Sequence, residues 1–108
     1  MVEYTYKLDS IFTSLSDPIR RDILTRVARY EHSVGELVTF YDVSFAAISR
    51  HLKVLEQACL IRKRKEGKKH MISLVPGALR SAEEYLEQYR HMWKDDLDVY
   101  AEQSSTDH

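Results

Sequence analysis

Near the amino terminus the apolar positions recur as Leu8, Ile11, Phe12 and Leu15, the three-and-four spacing of one helix face. A short first helix ending near Ser16 is predicted. Asp17-Pro18 follows, in which Asp17 is suited to accept from the free amides of a helix start and Pro18 fits a first turn that needs no amide hydrogen. A second helix therefore opens there and runs to about Tyr30, burying Ile19, Ile23, Leu24 and Val27, with Arg20, Arg21, Arg26 and Arg29 largely on other faces. Ser33-Val34-Gly35-Glu36 has capping-box spacing, each end able to bond the other's amide, so a short third helix begins here and ends near Tyr41. Ser44 is placed to cap a fourth, which turns Ile48, Leu52 and Leu55 inward and Ser49, Arg50, Lys53 and Gln57 outward.

The period then changes. Leu60-Ile61 leads into Arg62-Lys63-Arg64-Lys65, Glu66-Gly67-Lys68-Lys69 reads as a turn, and His70 to Val75 returns with Ile72 and Leu74 alternating inward. Pro76-Gly77 closes that hairpin and a long last helix carries Leu79, Ala82, Leu86, Tyr89, Trp93, Leu97 and Tyr100 on one stripe. The expected fold is mostly α with a small β-hairpin: four helices, two strands and a fifth helix. Two short helices joined by about three residues, the second polar and basic outside, form a helix-turn-helix pattern, and a basic hairpin straight after it is a wing. One domain is expected over residues 1–103, with 104–108 a disordered tail.

The stripe of the last helix is wide for a single small core, and exposed patches of that kind mark interfaces. A homodimer sealed by the first and last helices is expected, through Leu8, Ile11, Phe12 and Leu15 and through Leu86, Tyr89, Trp93 and Leu97. The alternative is a last helix folded over its own core.

Composition narrows the classes. A chain of 108 residues supports one core, and its 44% hydrophobic and 31% charged residues are those of an ordinary globular domain. No apolar run approaches the roughly 20 residues needed to cross a bilayer, and no basic stretch precedes an apolar block at the amino terminus, so no membrane partner and a cytoplasmic location are expected. Cys59, the single cysteine, can make neither an internal disulfide nor a thiolate-rich metal site within one chain. Charge is the informative quantity. Residues 50–70 hold eight Lys and Arg against Glu56 and Glu66, a balance of +6, which leaves −7 on the rest of a chain whose total is −1. Positive charge so concentrated marks a face for a polyanion such as double-stranded DNA.

The segment from Ser44 to Glu56, which reads Ser-Phe-Ala-Ala-Ile-Ser-Arg-His-Leu-Lys-Val-Leu-Glu, resembles the recognition helix of ArsR-type winged-helix repressors. The run from Leu15 to Leu24 is similar to that family's second-helix opening, and Ser33-Val34-Gly35-Glu36-Leu37 to its third, so the resemblance covers most of the chain. It implies a homodimer that sits on an operator and blocks transcription until a signal arrives. Small side chains at Ala46 and Ala47 would let the helix lie deep in the major groove, where Ser44, Ser49, Arg50 and His51 can donate to base edges or phosphates, beside Lys53. Arg50 is the candidate for bidentate guanine readout, and His51 for either a base or a phosphate contact. On the wing, Lys63, Arg64, Lys65, Lys68 and Lys69 would grip flanking backbone, and a two-fold axis would demand an imperfect inverted repeat.

Family members that sense metals carry cysteines on the third helix or paired His and carboxylate ligands on the last. The third-helix region has neither Cys nor His, which excludes a thiolate site there. On the last helix Glu84, Glu87, His91, Asp95 and Asp98 could in part face one another across an antiparallel pair, although only one histidine is available. His32 and His70 are isolated and read as surface residues. Cys59 stands where related sequences commonly have Gly, at a left-handed helix end, so the turn there need not keep its usual geometry; a redox role is the alternative to simple packing. No nucleophile, base and orienting group can be placed together, and no phosphate-cradling Gly loop is present, so an enzyme is not expected. The reading is a metal-independent DNA-binding repressor with no cofactor and an unknown inducer. A metal-responsive repressor using the last helix and a protein-interaction module are the competing readings.

Overall fold

Helix α1 (Val2–Ser14) ends three residues before Asp17, which takes an extended conformation (φ −111, ψ 132), the backbone that a following proline favours. The structure, a computed structural model, describes the backbone of residues 2–106 and the side chains of residues 8–90 together with Met92 and Lys94. Asp17 then caps α2 (Pro18–Arg29), accepting from the Arg20 amide at 3.1 Å with Pro18 in the first turn. The capping box forms as the spacing predicts. The Glu36 amide donates to Ser33 Oγ at 3.1 Å and the Ser33 amide to Glu36 Oε1 at 3.2 Å, starting α3 (Val34–Thr39). Ser44 caps α4 (Phe45–Gln57) by accepting from the Ala47 amide at 3.1 Å.

The sheet has one strand more than the sequence pattern shows. His32–Ser33 forms β1, and with β2 (Ile61–Glu66) and β3 (Lys69–Leu74) it makes an antiparallel sheet in the order β1-β3-β2. A two-residue strand is too short for any periodicity to reveal. It pairs His32 with Ile72 and Ser33 with Met71, anchoring the middle of β3 to the α2–α3 junction. As a result His32 is only 4% exposed, which corrects the expectation of a surface residue; His70 does lie exposed. Between the paired Glu66 and Lys69 a two-residue turn places Gly67 at φ 62, the type II′ arrangement in which glycine takes the first central position.

The core gathers at the meeting of α2, α3, α4 and the sheet, where Ile23, Leu37, Ile48, Leu55, Leu60 and Ile72 are fully buried. Every predicted stripe residue of α4 is buried there: Ile48, Leu52 and Leu55. Helix α1 joins through Leu8 and Ile11. Both belong to the expected subunit-interface set, but at 7% and 2% exposure they are buried in the protomer's own core and have little surface left to offer.

Helix α4 leaves through a Schellman motif. The Leu60 amide donates to the Leu55 carbonyl and the Cys59 amide to the Glu56 carbonyl, both at 3.0 Å, with Leu55 and Leu60 packed into the core. Cys59 takes the left-handed position with φ 61, so the usual turn survives the replacement of glycine.

Helix α5 (Pro76–Thr106) starts at Pro76 and continues through Thr106, past the boundary expected at 103. No Gly or Pro after Gly77 interrupts it. Residues 107 and 108 of the expected tail lie outside the described residues. At 1.5 Å per residue α5 is about 46 Å long. The chain's radius of gyration is 17.8 Å, against about 13 Å for a compact chain of this length, because a single small core cannot cover such a helix.

Candidate nucleic-acid interface

The outer face of α4 is built by its cap and its stripe. With Ile48, Leu52 and Leu55 fixed inward, the helical period turns Ala46, Arg50 and Lys53 to solvent and leaves Ser49 and Ala47 half-buried, next to exposed Ser44. Of the α4 residues expected to face DNA, Ser44, Ala46, Arg50 and Lys53 are exposed, while Ala47, Ser49 and His51 are partly buried. Between α4 and the hairpin lies a groove of about 450 Å³, floored by Val34, Leu52, Ile61 and Ile72 and edged by Phe45, Ser49, Lys53, Glu56, Lys63 and His70. The fold thus brings the recognition helix and the wing to one surface, and adds His70 and Phe45 to it.

Lys65, Lys68 and Lys69 project freely from the wing. Arg64 does not. Its guanidinium donates to Glu31 Oε1 at 2.7 Å and to Glu66 Oε2 at 3.2 Å, and the Glu31 carboxylate pushes its pKa further up. Part of its charge is therefore already compensated within the protomer. A pairing across 33 positions has no local signature, so the sequence treats Arg64 like its neighbours.

His51 is likewise engaged. Its Nδ1 lies 3.1 Å from Arg20 Nη1 and 3.9 Å from Asp17 Oδ2, with its side chain 20% exposed. Arg20 meanwhile donates through Nε to the Ser14 carbonyl at 2.8 Å and through Nη2 to the Thr13 carbonyl at 3.1 Å, closing the end of α1. Burial tends to raise the Asp17 pKa, but the Arg20 amide and the Arg20 charge outweigh it and hold the carboxyl below its ordinary value. Arg20 was assigned no role from sequence, because helical periodicity places it only off the buried stripe.

A second device ties α3 to α2. Tyr41 Oη donates to Asp22 Oδ2 at 2.6 Å, and Arg26 Nε donates to the same oxygen at 2.9 Å while Arg26 Cζ lies 3.8 Å from the centre of the Phe40 ring. Burial and the Asp22 carboxylate push the Tyr41 hydroxyl up to about 12. The Tyr41 bond holds Asp22 below the usual carboxylate range. The end of the short α3, and with it the turn into α4, is fixed by this group.

Away from the basic face, α1 and α5 enclose an apolar groove of about 500 Å³ lined by Phe12, Leu15, Leu79, Ala82 and Leu86, with Glu83, Glu87 and Arg90 at its edge. Leu86 is 49% and Tyr89 37% exposed. Phe12 meets Tyr85 edge-on at 5.8 Å, and the Tyr85 and Tyr89 hydroxyls are 2.8 Å apart. Of the other expected interface residues, the Trp93 and Leu97 side chains lie outside the described residues. So do His91, Asp95 and Asp98 of the possible metal set, while Glu84 and Glu87 are exposed. Among the described residues no helix is long and apolar enough to cross a membrane.

Residues 17–63, from the cap of α2 into the wing, match the bacterial regulatory protein, arsR family. The chain is 35% identical over 94 residues to the HTH-type transcriptional regulator Rv2034 of Mycobacterium tuberculosis, covering 87% of this chain and 85% of that protein. It is 32% identical over 60 residues to the transcriptional repressor SdpR of Bacillus subtilis, covering 56% of this chain and 67% of SdpR. An ArsR-like transcriptional regulator from Rhodococcus sp. RHA1 superposes with a TM-score of 0.77 at 28% identity, over 98% of this chain and 97% of that one.

Proposed function

This chain belongs to the ArsR family of DNA-binding winged helix-turn-helix transcriptional regulators, and we propose that it acts as a homodimeric, metal-independent repressor of an inverted-repeat operator. The observation that carries the reading is the shared surface of α4 and the wing: exposed Arg50, Lys53, Lys65, Lys68 and Lys69 on the +6 segment of an otherwise acidic chain. Ser44, Ala46, Ala47, Ser49 and Arg50 approach base edges in the major groove, and the wing lysines hold the flanking phosphates. His51 acts through its free ring edge, since Nδ1 is occupied by Arg20. The apolar groove along α1 and α5 receives the same helices of a second copy, which supplies the two-fold axis and sets half-sites about one helical turn apart. The repressor role is supported by the likeness to SdpR, a transcriptional repressor.

The test uses the full-length protein and a duplex selected by it from a random pool. Two protomers are expected per inverted repeat, with binding that weakens as salt rises and is unchanged by a chelator. Transcription from a promoter overlapping the selected site is expected to fall when the protein is added. A change in affinity on chelation would establish the metal-responsive alternative, and increased transcription would overturn the repressor role.

A further inference from the structure

Seven large apolar side chains are exposed among the described residues, and most have a reason. Tyr30 stacks on His32 at 4.6 Å and Phe40 lies under Arg26. Leu86, Tyr89 and Met92 lie on α5, the helix given to a second copy. Phe45 is different. It occupies the first turn of α4, is 61% exposed, and has no aromatic or cationic partner among the described residues. It is also the only large apolar side chain that α4 leaves to solvent; the helix's other outward positions are small, polar or charged. The ring stands at the edge of the groove it shares with Ser49, Lys53 and Lys63, between exposed Ser44 and Ala46.

We propose that Phe45 reads the 5-methyl group of a thymine in each half-site. The inference rests on α4 entering the major groove. There the one apolar feature that distinguishes base pairs is the thymine methyl, and an aromatic ring at the leading turn of the helix is a matching surface. Ala46 and Ala47 beside it let the backbone approach closely enough for contact, and Lys53 and Lys63 lie beyond it on the groove edge where phosphate would pass. A ring 61% exposed in the free protein gains a partner when the site is bound. Phe45 therefore contributes specificity, whereas the lysines contribute affinity.

The full-length protein is used to select its duplex, and each thymine of that duplex is then replaced singly by deoxyuridine, which keeps the pairing edge and removes only the methyl. Binding is measured for wild type, Phe45→Ala and Phe45→Leu. For wild type, one thymine per half-site is expected to cost about fourfold in affinity when its methyl is removed, the value of one buried methyl. Phe45→Ala is expected to bind the two duplexes equally, and Phe45→Leu to keep part of the difference. Binding to random duplex is expected to be the same for all three, which also shows that the variants are folded. Absence of any methyl-sensitive thymine, or equal sensitivity in Phe45→Ala, overturns the proposal while leaving sequence-specific binding intact. Failure to select any sequence would overturn both the operator reading and this one.

Discussion

Arg20 Nη1 lies 3.1 Å from Nδ1 of His51, so the middle of α4 is fastened to the first turn of α2 and, through the same guanidinium, to the last carbonyls of α1. A guanidinium only donates, so Nδ1 must present a lone pair and the ring hydrogen must sit on Nε2. Asp17 at 3.9 Å would favour the opposite arrangement, but it is the more distant of the two and Arg20 stands closer to the ring. The Nε2–H tautomer is expected in the ring ¹⁵N shifts of His51 at neutral pH. Arg20→Ala is expected to mix the tautomers, lower stability by about 2 kcal/mol through the lost carbonyl bonds, and weaken DNA binding. An Nδ1–H ring in the wild type would refute the arrangement.

The left-handed Cys59 is a place where the chain departs from the residue best suited to the backbone. A non-glycine residue there costs roughly 1–2 kcal/mol, part of which glycine would return as lost chain entropy. Cys59→Gly is expected to raise stability by about 1 kcal/mol, equivalent to roughly 4–8 °C in melting temperature. Cys59→Val is expected to lower it. A melting point unchanged or reduced in the glycine variant would mean that the thiol contributes packing that outweighs the strain.

Arg64 and the wing lysines are expected to separate in their salt dependence. Neutralising Lys65, Lys68 or Lys69 that touches a phosphate should reduce the slope of log affinity against log salt by about 0.9 each. Arg64→Ala is expected to matter less, because Glu31 and Glu66 already occupy its guanidinium. Glu31→Gln is expected to strengthen binding to random duplex. Equal slopes for Arg64 and the lysines would show that the ion pairs open on DNA at no cost.

Tyr41 gives the fold a limit on the alkaline side. Its folded pKa of about 12 lies above the ordinary 10, so its contribution is complete below pH 10 and is lost as pH rises toward 12. Asp17, Asp22 and Glu36 are held low, so theirs is complete above the ordinary carboxylate range and lost as pH falls through and below it. In urea titrations the wild type is expected to exceed Tyr41→Phe by about 1 kcal/mol at pH 8, with the difference vanishing near pH 12. A difference that persists there would assign it to packing.

Leu86→Glu places a charge in the apolar groove between α1 and α5. Sedimentation is expected to shift from dimer to monomer, with specific DNA binding reduced far more than binding to random duplex. A dimer unaffected by this change would place the subunit interface elsewhere.

The sequence by itself determined the helices and their starts, because caps and apolar stripes act within a few residues: Asp17, Ser33 and Ser44 each bond an amide three positions on. It determined the outward face of α4 for the same reason, since burying Ile48, Leu52 and Leu55 leaves Arg50 and Lys53 nowhere else to point. Gly67 and its neighbours likewise set the hairpin turn locally. Only the tertiary structure decided which of those outward groups are free. Arg64 is bound by Glu31 from the α2–β1 connection, His51 by Arg20 from α2, and His32 is buried by pairing with Ile72 on β3. The exposure of Phe45 and the burial of Ile11 are of the same kind. Each depends on contacts between elements distant along the chain, and the energy of such a contact appears only when packing brings the two elements together.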